Sequence, residues 1–357
     1  MPIRFFPFQD IGFSGKVRKC SLMLISKDYR LGMSDDELFL TEDVTEQVFE
    51  RVDEFETQWD EVKQILNDSK TPDPHLSWAC KGCELFPDCV GKGIDNHVFD
   101  LPRLSHTKFC QVMDLGALTI RDIPEDFELT PLQSIVRESI ICNKPFVNGQ
   151  LKADLDSISF PAYYLDFETF SSAIPVYPNT APYAQIPIQY SLHRCSELGK
   201  IIGHWEYLAD PAKNCLRELA ERLIQDCGKK GTVFQYTQFE RQIINGLIEH
   251  FPDLKKKLEM IISRLVDLCR LIRDNYYDPG FHGSFSIKKV LPVMVPNLSY
   301  EQLEISDGQD ASATFALMIK GKYGKEEMGE KRKEMLQYCR MDTLAMVRVH
   351  GELVKCE

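Results

Sequence analysis

Apolar positions change period several times along this chain, and each change marks an element. Over TEDVTEQVFERVDEFETQWDEVKQIL, residues 41–66, Val44, Val48, Val52, Phe55, Trp59 and Val62 recur at steps of three and four. That is the period of one helix face. It predicts a single long helix, capped by Thr41 or Asp43, with Glu50, Asp53, Glu54 and Glu56 on a solvated side. KCSLMLI (19–25) before it reads as a strand. Residues 70–110 lose all period and carry TPDPH, KGCELFPDC and GKGIDN, a loop-rich knuckle. HTKFCQVMDLGAL (106–118) and TPLQSIVRESIIC (130–142) read as short helices.

The second half reads differently. SISFPAYYLDF (157–167) begins a strand with proline at its start, where a strand tolerates one. PIQYSLHRCS (187–196) and GHWEYLA (203–209) read as an antiparallel pair. NCLRELAERLIQDC is a helix, TVFQY a short strand, and FERQIINGLIEHFP a helix straight after it. RLVDLCRLIRDNYY (264–277) reads as helical throughout, as do SIKKVLPVMV (286–295) and KRKEMLQYCRMDTLAMVRVHGELVKC (331–356). Strands first and crossing helices later predict an α/β domain with a mixed sheet and flanking helices. The boundary is expected near 150–160. That gives a smaller, mostly helical lobe with a Cys-rich knuckle at 1–155 and the α/β domain at 156–357.

Composition narrows the class. The 357 residues are 43% hydrophobic and 27% charged, enough for a sizeable core. The formal net charge is -12, so this is no basic coat protein for nucleic acid, although a local groove can still be basic. There is no apolar run long enough to span a membrane and no signal peptide at MPIRFFPFQDIGFSGKVRK. Twelve cysteines without a secretion signal predict a cytoplasmic chain with free thiols. HExxH, P-loop and G-x-S-x-G patterns are all missing.

The chemistry-bearing residues are carboxylates. In YYLDFETF (163–170), Asp166 and Glu168 are one residue apart, so a strand points both to the same face. Glu240 opens the helix after TVFQY, and Asp342 lies in the last helix with Tyr338 one turn before it. One strand and two helices thus supply four acids. Oxygen ligands suit Mg²⁺ or Mn²⁺, and two such ions can hold the attacking and leaving oxygens of a phosphodiester in line. A tyrosine one turn from a ligand can orient the attacking water.

LDFET, VFQYTQFE and YCRMD, in this order, resemble the three motifs of the DnaQ-like, RNase H-fold 3′–5′ exonucleases, in the tyrosine branch of the DEDD superfamily. The resemblance implies an RNase H-like fold. It also implies two metal ions on Asp166, Glu168, Glu240 and Asp342, with Tyr338 positioning water and single-stranded DNA or RNA ends as substrate. The second motif usually carries Asp where this chain has Glu240, and Asp267 in LVDLCRL competes for that role. IPVYPNTAPYAQIPIQYSLH (174–193) and GSFSIKKVLPVMVPNLSY (283–300) resemble the bacterial domain of unknown function 2779, in which such a domain follows a RecB-like nuclease domain. MPIRFFPFQD resembles the tail of such a domain, and the chain contains no complete RecB-like metal motif, so either the first lobe is a truncated remnant or the sequence is a fragment. Lys288 and Lys289 of SFSIKK either contact phosphates or form a solvated helix face.

WACKGCELFPDC places Cys80, Cys83 and Cys89 in a turn-rich loop. Thiolates there suit zinc, with His75 as the fourth ligand. The spacing also resembles the cluster-binding cysteines of iron–sulfur RecB-like nucleases, which would make a [4Fe-4S] cluster with Cys20 or Cys110 as the fourth ligand. Three unliganded thiols are the third possibility. Tyr183 and Tyr190 are either base-stacking platforms or core residues. His193, His282 and Cys269 read as packing residues. The competing functional class is a catalytically inactive module that binds nucleic acid or protein on a nuclease scaffold.

Overall fold

The computed structural model describes residues 17–70 and 72–356. MPIRFFPFQD and the side chains of Asp53 and Glu56 lie outside the described residues. The chain forms two compact units, 1–74 with 172–184, and 75–171 with 185–357.

In the first unit, β1 (Ser21–Ile25) pairs antiparallel with β2 (Phe39–Asp43). Helices α1 (Thr45–Glu50) and α2 (Val52–Asn67) follow. The single helix expected over 41–66 is therefore divided. Thr41 to Asp43 are spent on the strand pair, and the helix breaks at Arg51. Asp43 still serves the helix start, because its Oδ1 accepts from the Thr45 backbone N–H at 3.1 Å. Residues 172–184 join this unit through reciprocal backbone bonds between Leu31 and the pair Asn179 and Thr180.

The second unit runs through α3 (His106–Asp114), α4 (Pro131–Cys142), β3 (Phe146–Val147) and α5 (Leu151–Asp156) before reaching its sheet. It continues with β4 (Ala162–Phe170), β5 (Ile186–Glu197), β6 (Lys200–Leu208), α6 (Leu216–Asp226), β7 (Val233–Gln235) and α7 (Phe239–His250). The remainder is α8 (Lys255–Ile262), β8 (Leu265–Asp267), α9 (Leu268–Asn275), β9 (Tyr276–Tyr277), α10 (Ile287–Met294), α11 (Gly308–Ile319) and α12 (Lys325–Leu353). Local chemistry explains the boundaries. α4 begins with a capping box between Thr130 and Gln133 and Pro131 in its first turn, and ends on left-handed Asn143.

The sheet has five strands in the order β6-β5-β4-β7-β8. β4, β5 and β6 are antiparallel neighbours, and β4, β7 and β8 are parallel. The mixed α/β architecture is as expected. Residues 264–277 are not helical throughout, however: Leu265–Asp267 is an edge strand. Three residues are too few to display a period of two, so a helical period in their neighbours hides them. Gly231, just before β7, has a φ of +87°, and a Cβ there would stand 1.9 Å from the Pro161 carbonyl oxygen. Only glycine lets the two strand starts approach so closely.

The boundary expected at 155/156 falls inside a continuous core. Val98, Val112, Ile120, Val136, Ile140, Leu151 and Leu155 belong to the same buried cluster as Tyr164, Phe234, Tyr277, Phe281, Val347 and Leu353. Residues 75–155 therefore build the same unit as the sheet. α4 packs on β9 and α5 on α9, each more than a hundred residues away in sequence, which no local composition shift reveals.

The long helix α12 crosses one face of the sheet and fixes the site. Met335, Cys339, Asp342, Met346, Val349 and Leu353 form its buried stripe. Four polar bonds set its position. Gln189 Nε2 donates to the Met335 carbonyl at 2.8 Å. The Tyr164 hydroxyl lies 2.7 Å from His350 Nδ1. Arg332 donates to the carbonyls of Leu208 and Ala209.

Candidate metal centre

Tyr164, Asp166 and Glu168 alternate onto the face of β4 that α12 covers. Asp166 stands opposite Ser191 of β5 and Glu168 opposite Gln189, with a register shift straight after Glu168. Such an irregularity re-aims the last side chain of a strand. Asp342 comes down from α12 onto the same place. One carboxylate oxygen from each of Asp166, Glu168 and Asp342 lies within 4.8 Å of the others. Among the described residues, this is the only set of three or more His, Cys, Asp or Glu ligands so gathered. It sits at the carboxyl ends of parallel strands, where open α/β sheets place their ligands.

Glu240 adjoins this trio without joining it. It is 1% exposed on the first turn of α7, close enough to Asp166 for the two carboxyls to influence each other's protonation. Its Oε2 is buried with no hydrogen-bond partner, a costly arrangement that a cation would relieve. The longer glutamate side chain thus reaches Asp166, and the expected set of four acids is three plus a neighbour. Asp267 is committed elsewhere. Its Oδ1 accepts from the Arg270 N–H at 2.8 Å as the cap of α9, and its Oδ2 accepts from Gln238 Nε2 at 2.9 Å.

Crowding makes every acid here a weak one. Burial, then the charges of Asp342, Glu168 and Glu240, push Asp166 well above the usual carboxylate range. Burial pushes Glu168 up to about 8, with Asp342 adding to it and Lys288 opposing. Burial likewise pushes Glu240 up to about 8. Asp342 rises less, to about 6, because the hydrogen bond from Tyr300, the charge of Lys288 and the nearby Tyr338 hydroxyl oppose its burial. Like charges compressed in this way are the condition a divalent cation relieves, and such perturbed groups mark functional sites.

Tyr338 is buried, and its hydroxyl holds its proton well above the usual tyrosine range, through burial and then the Asp342, Glu168 and Asp166 charges. Three further residues reach the site without having been singled out by the sequence analysis. The Tyr300 hydroxyl donates to Asp342 Oδ1 at 2.7 Å. The Cys339 thiol lies 3.4 Å from Asp166 Oδ2. A Cβ on Gly308, the first residue of α11, would lie 3.3 Å from Glu168 Oε2. The two lysines of SFSIKK part company. The Lys288 ammonium lies over the rings of Tyr338, at 5.4 Å, and Tyr300, at 5.8 Å. Lys289 is exposed and acts on Asp100 instead.

The other sequence candidates separate clearly. Tyr190 is fully buried and donates to Asp226 Oδ2 at 2.5 Å, so it is a core residue and not a stacking platform. Tyr183 is exposed. His193 is buried against Thr343, with Nδ1 2.8 Å from the threonine Oγ1. His282 lies 3.6 Å from Asp100, and the Cys269 thiol points at the Phe285 carbonyl. In the knuckle, Cys83 and Cys89 are exposed and Cys80 Sγ faces the His75 carbonyl and Ser77 Oγ. Cys80, Cys83, Cys89 and His75 are not drawn together as a ligand set among the described residues. The backbone there forms 3-10 turns at Trp78–Cys80 and Phe86–Asp88. Cys110 lies 3.6 Å from His106, and Cys20 belongs to the other unit.

Among the described residues, no helix is long and apolar enough to cross a membrane. Two curated relatives share part of the chain. These are the uncharacterized protein MG366 homolog of Mycoplasma pneumoniae and the uncharacterized protein MG366 of Mycoplasma genitalium. Each is 25% identical over 226 residues, covering 57% of this chain and 33% of the relative. The chain therefore matches about a third of their length. Residues 163–286, which hold Asp166, Glu168 and Glu240 and stop short of Tyr338 and Asp342, match the family described as Domain of unknown function (DUF2779).

Proposed function

We propose that this protein is a metal-dependent 3′–5′ exonuclease that hydrolyses phosphodiester bonds at single-stranded DNA or RNA ends. The observation that carries the reading is the convergence of Asp166, Glu168 and Asp342, from β4 and α12, on one point. The mixed sheet flanked by helices, with strands in the order 3-2-1-4-5 counted from β4, supports an RNase H-like core. The donor set fits hard cations, because every candidate ligand is a carboxylate oxygen. The unpartnered Oε2 of Glu240 beside Asp166 supports a second ion next to the first.

In this reading Asp166, Glu168 and Asp342 hold Mg²⁺ or Mn²⁺, with Glu240 completing the set on the Asp166 side. When bound, the ions supply Lewis acidity toward the phosphodiester and its attacking water. The chain's residues do the rest. The Tyr338 hydroxyl, kept protonated by burial, donates or accepts one hydrogen bond and so orients the water in line with the terminal phosphodiester. The Tyr300 hydroxyl donates to Asp342 Oδ1, which would leave Oδ2 available to a cation. The buried walls around Glu168 and Asp342 limit competing water.

The test uses 5′-labelled single-stranded DNA and RNA with Mn²⁺, Mg²⁺ or EDTA, comparing the wild type with Asp166→Ala and Asp342→Ala. A ladder shortening from the 3′ end, abolished by EDTA and in both variants, is expected. Retained oligonucleotide binding without cleavage under either metal would overturn the enzyme reading and leave a binding module.

A further inference from the structure

Tyr300 lies in the segment between α10 and α11, and its spacing alone gives it no role. Three observations tie it to the carboxylates. Its hydroxyl donates to Asp342 Oδ1 at 2.7 Å. Its ring lies 6.4 Å from the Tyr338 ring. Both rings lie under one ammonium, that of Lys288, which also donates to the Ser306 carbonyl at 2.6 Å. The cation is therefore held, half-buried, by two aromatic faces and a backbone carbonyl.

We propose that Tyr300 is a positioning residue of this site: it fixes the Asp342 carboxylate for metal binding and, with Tyr338, seats Lys288 toward the scissile phosphate. The inference rests on the metal-dependent phosphodiesterase reading and adds to it two residues with separate tasks. A carboxylate bonded through one oxygen loses its freedom to rotate, so its other oxygen is presented to the cation in one orientation. Metal-ligand partners of this kind are worth 10- to 100-fold in affinity. Lys288 brings a fixed positive charge close to Glu168 and Asp342 without ligating a metal. A fixed cation next to a reacting phosphate stabilises charge that grows in the transition state. Lys289 is exposed and touches neither tyrosine ring.

The experiment compares wild type, Tyr300→Phe, Lys288→Met, Lys288→Arg and Lys289→Met. Free Mn²⁺ is measured by electron paramagnetic resonance during titration, and kcat and KM on a single-stranded oligonucleotide are measured separately. Thermal melting checks that each variant folds. Tyr300→Phe is expected to weaken Mn²⁺ binding roughly 10-fold. Lys288→Met is expected to keep Mn²⁺ binding and to lose kcat on the order of 10²-fold, with part regained in Lys288→Arg. Lys289→Met is expected to match the wild type. A folded Tyr300→Phe that binds Mn²⁺ as the wild type does, or a Lys288→Met with unchanged kcat, would overturn the proposal while leaving the metal reading intact. A wild type that neither takes up Mn²⁺ nor shortens the oligonucleotide would overturn the reading beneath it.

Discussion

The thiol of Cys339 lies 3.4 Å from Asp166 Oδ2 and 3.7 Å from the Asp166 carbonyl. Burial, then the charge of Asp166, then those of Glu168 and Asp342, hold its proton well above the ordinary thiol range. Cys339 is therefore a hydrogen-bond donor to a carboxylate and not a nucleophile, since only the thiolate reacts. Alkylation of the native chain at neutral pH, followed by peptide mass mapping, should label exposed Cys83, Cys89, Cys110 and Cys142. It should spare Cys195, Cys227 and Cys339 until urea opens the fold. Labelling of Cys339 at the rate of the exposed four would contradict the geometry. Selective protection of Cys83 and Cys89 in freshly purified protein would indicate a ligand at the knuckle.

The carboxylates set a pH dependence with a definite sign. Glu168 and Glu240 both hold their protons up to about 8 in the folded chain. Near neutral pH the folded chain thus binds more protons than the unfolded one, and its stability falls as pH rises. Below about 6.5 the buried histidines oppose this trend. His193 is lowered to about 3, and His204 and His350 to about 4, chiefly by burial. Their contribution grows as pH rises toward the ordinary histidine value and is complete above it. In EDTA, stability should therefore fall between pH 7 and pH 8.5 by about 1 kcal/mol for each of the two glutamates. Saturating Mn²⁺ should flatten the fall, because it binds the deprotonated form. Differential scanning fluorimetry across this window measures both, and a melting temperature that climbs with pH in EDTA would be the opposite result.

Relieving the crowding should separate stability from activity. Asp166→Asn and Asp342→Asn keep side-chain shape and remove one of the compressed charges. Each should raise the stability of the metal-free protein at pH 7.5 by about 1 kcal/mol and abolish cleavage. Urea titration beside the oligonucleotide assay tests the pair. Loss of both stability and activity would mean that the aspartates hold the fold together instead.

On the same face of the sheet, the Thr343 hydroxyl lies 2.8 Å from both Ser191 Oγ and His193 Nδ1. Ser191 in turn lies 2.9 Å from His204 Nε2. This chain ties β5 and β6 to α12 one residue beyond Asp342. Thr343→Val preserves volume and leaves two buried polar groups short of a partner, at a cost of about 2 kcal/mol. The urea midpoint should drop with an unchanged slope, and an undiminished midpoint would show that the network contributes nothing net.

Much of this molecule is written locally. Asp166 and Glu168 share a face because strands alternate, and Tyr338 and Asp342 share one because a helix turns in 3.6 residues. Both relations follow from spacing alone, so the acidic pair, the Tyr-x-x-x-Asp step and the mixed α/β class were legible in the residues. The division of the 41–66 helix and the three-residue strand at Leu265 were not. There, strand pairing with distant residues overrides a local period.

The sequence by itself determined the elements and which acids each one presents. Tertiary structure alone decided which of those acids meet. Asp166 and Cys339 are 173 positions apart and Tyr300 and Asp342 are 42 apart, and no periodicity reaches across such gaps. The same folding turned Asp267 into a helix cap, sent Lys288 to the carboxylates, left Lys289 exposed, and merged residues 75–155 with the sheet. The physical reason is common to all four. Spacing along the chain sets direction through backbone geometry, whereas proximity between elements is set by the burial of apolar faces that pack only once the whole sheet has formed.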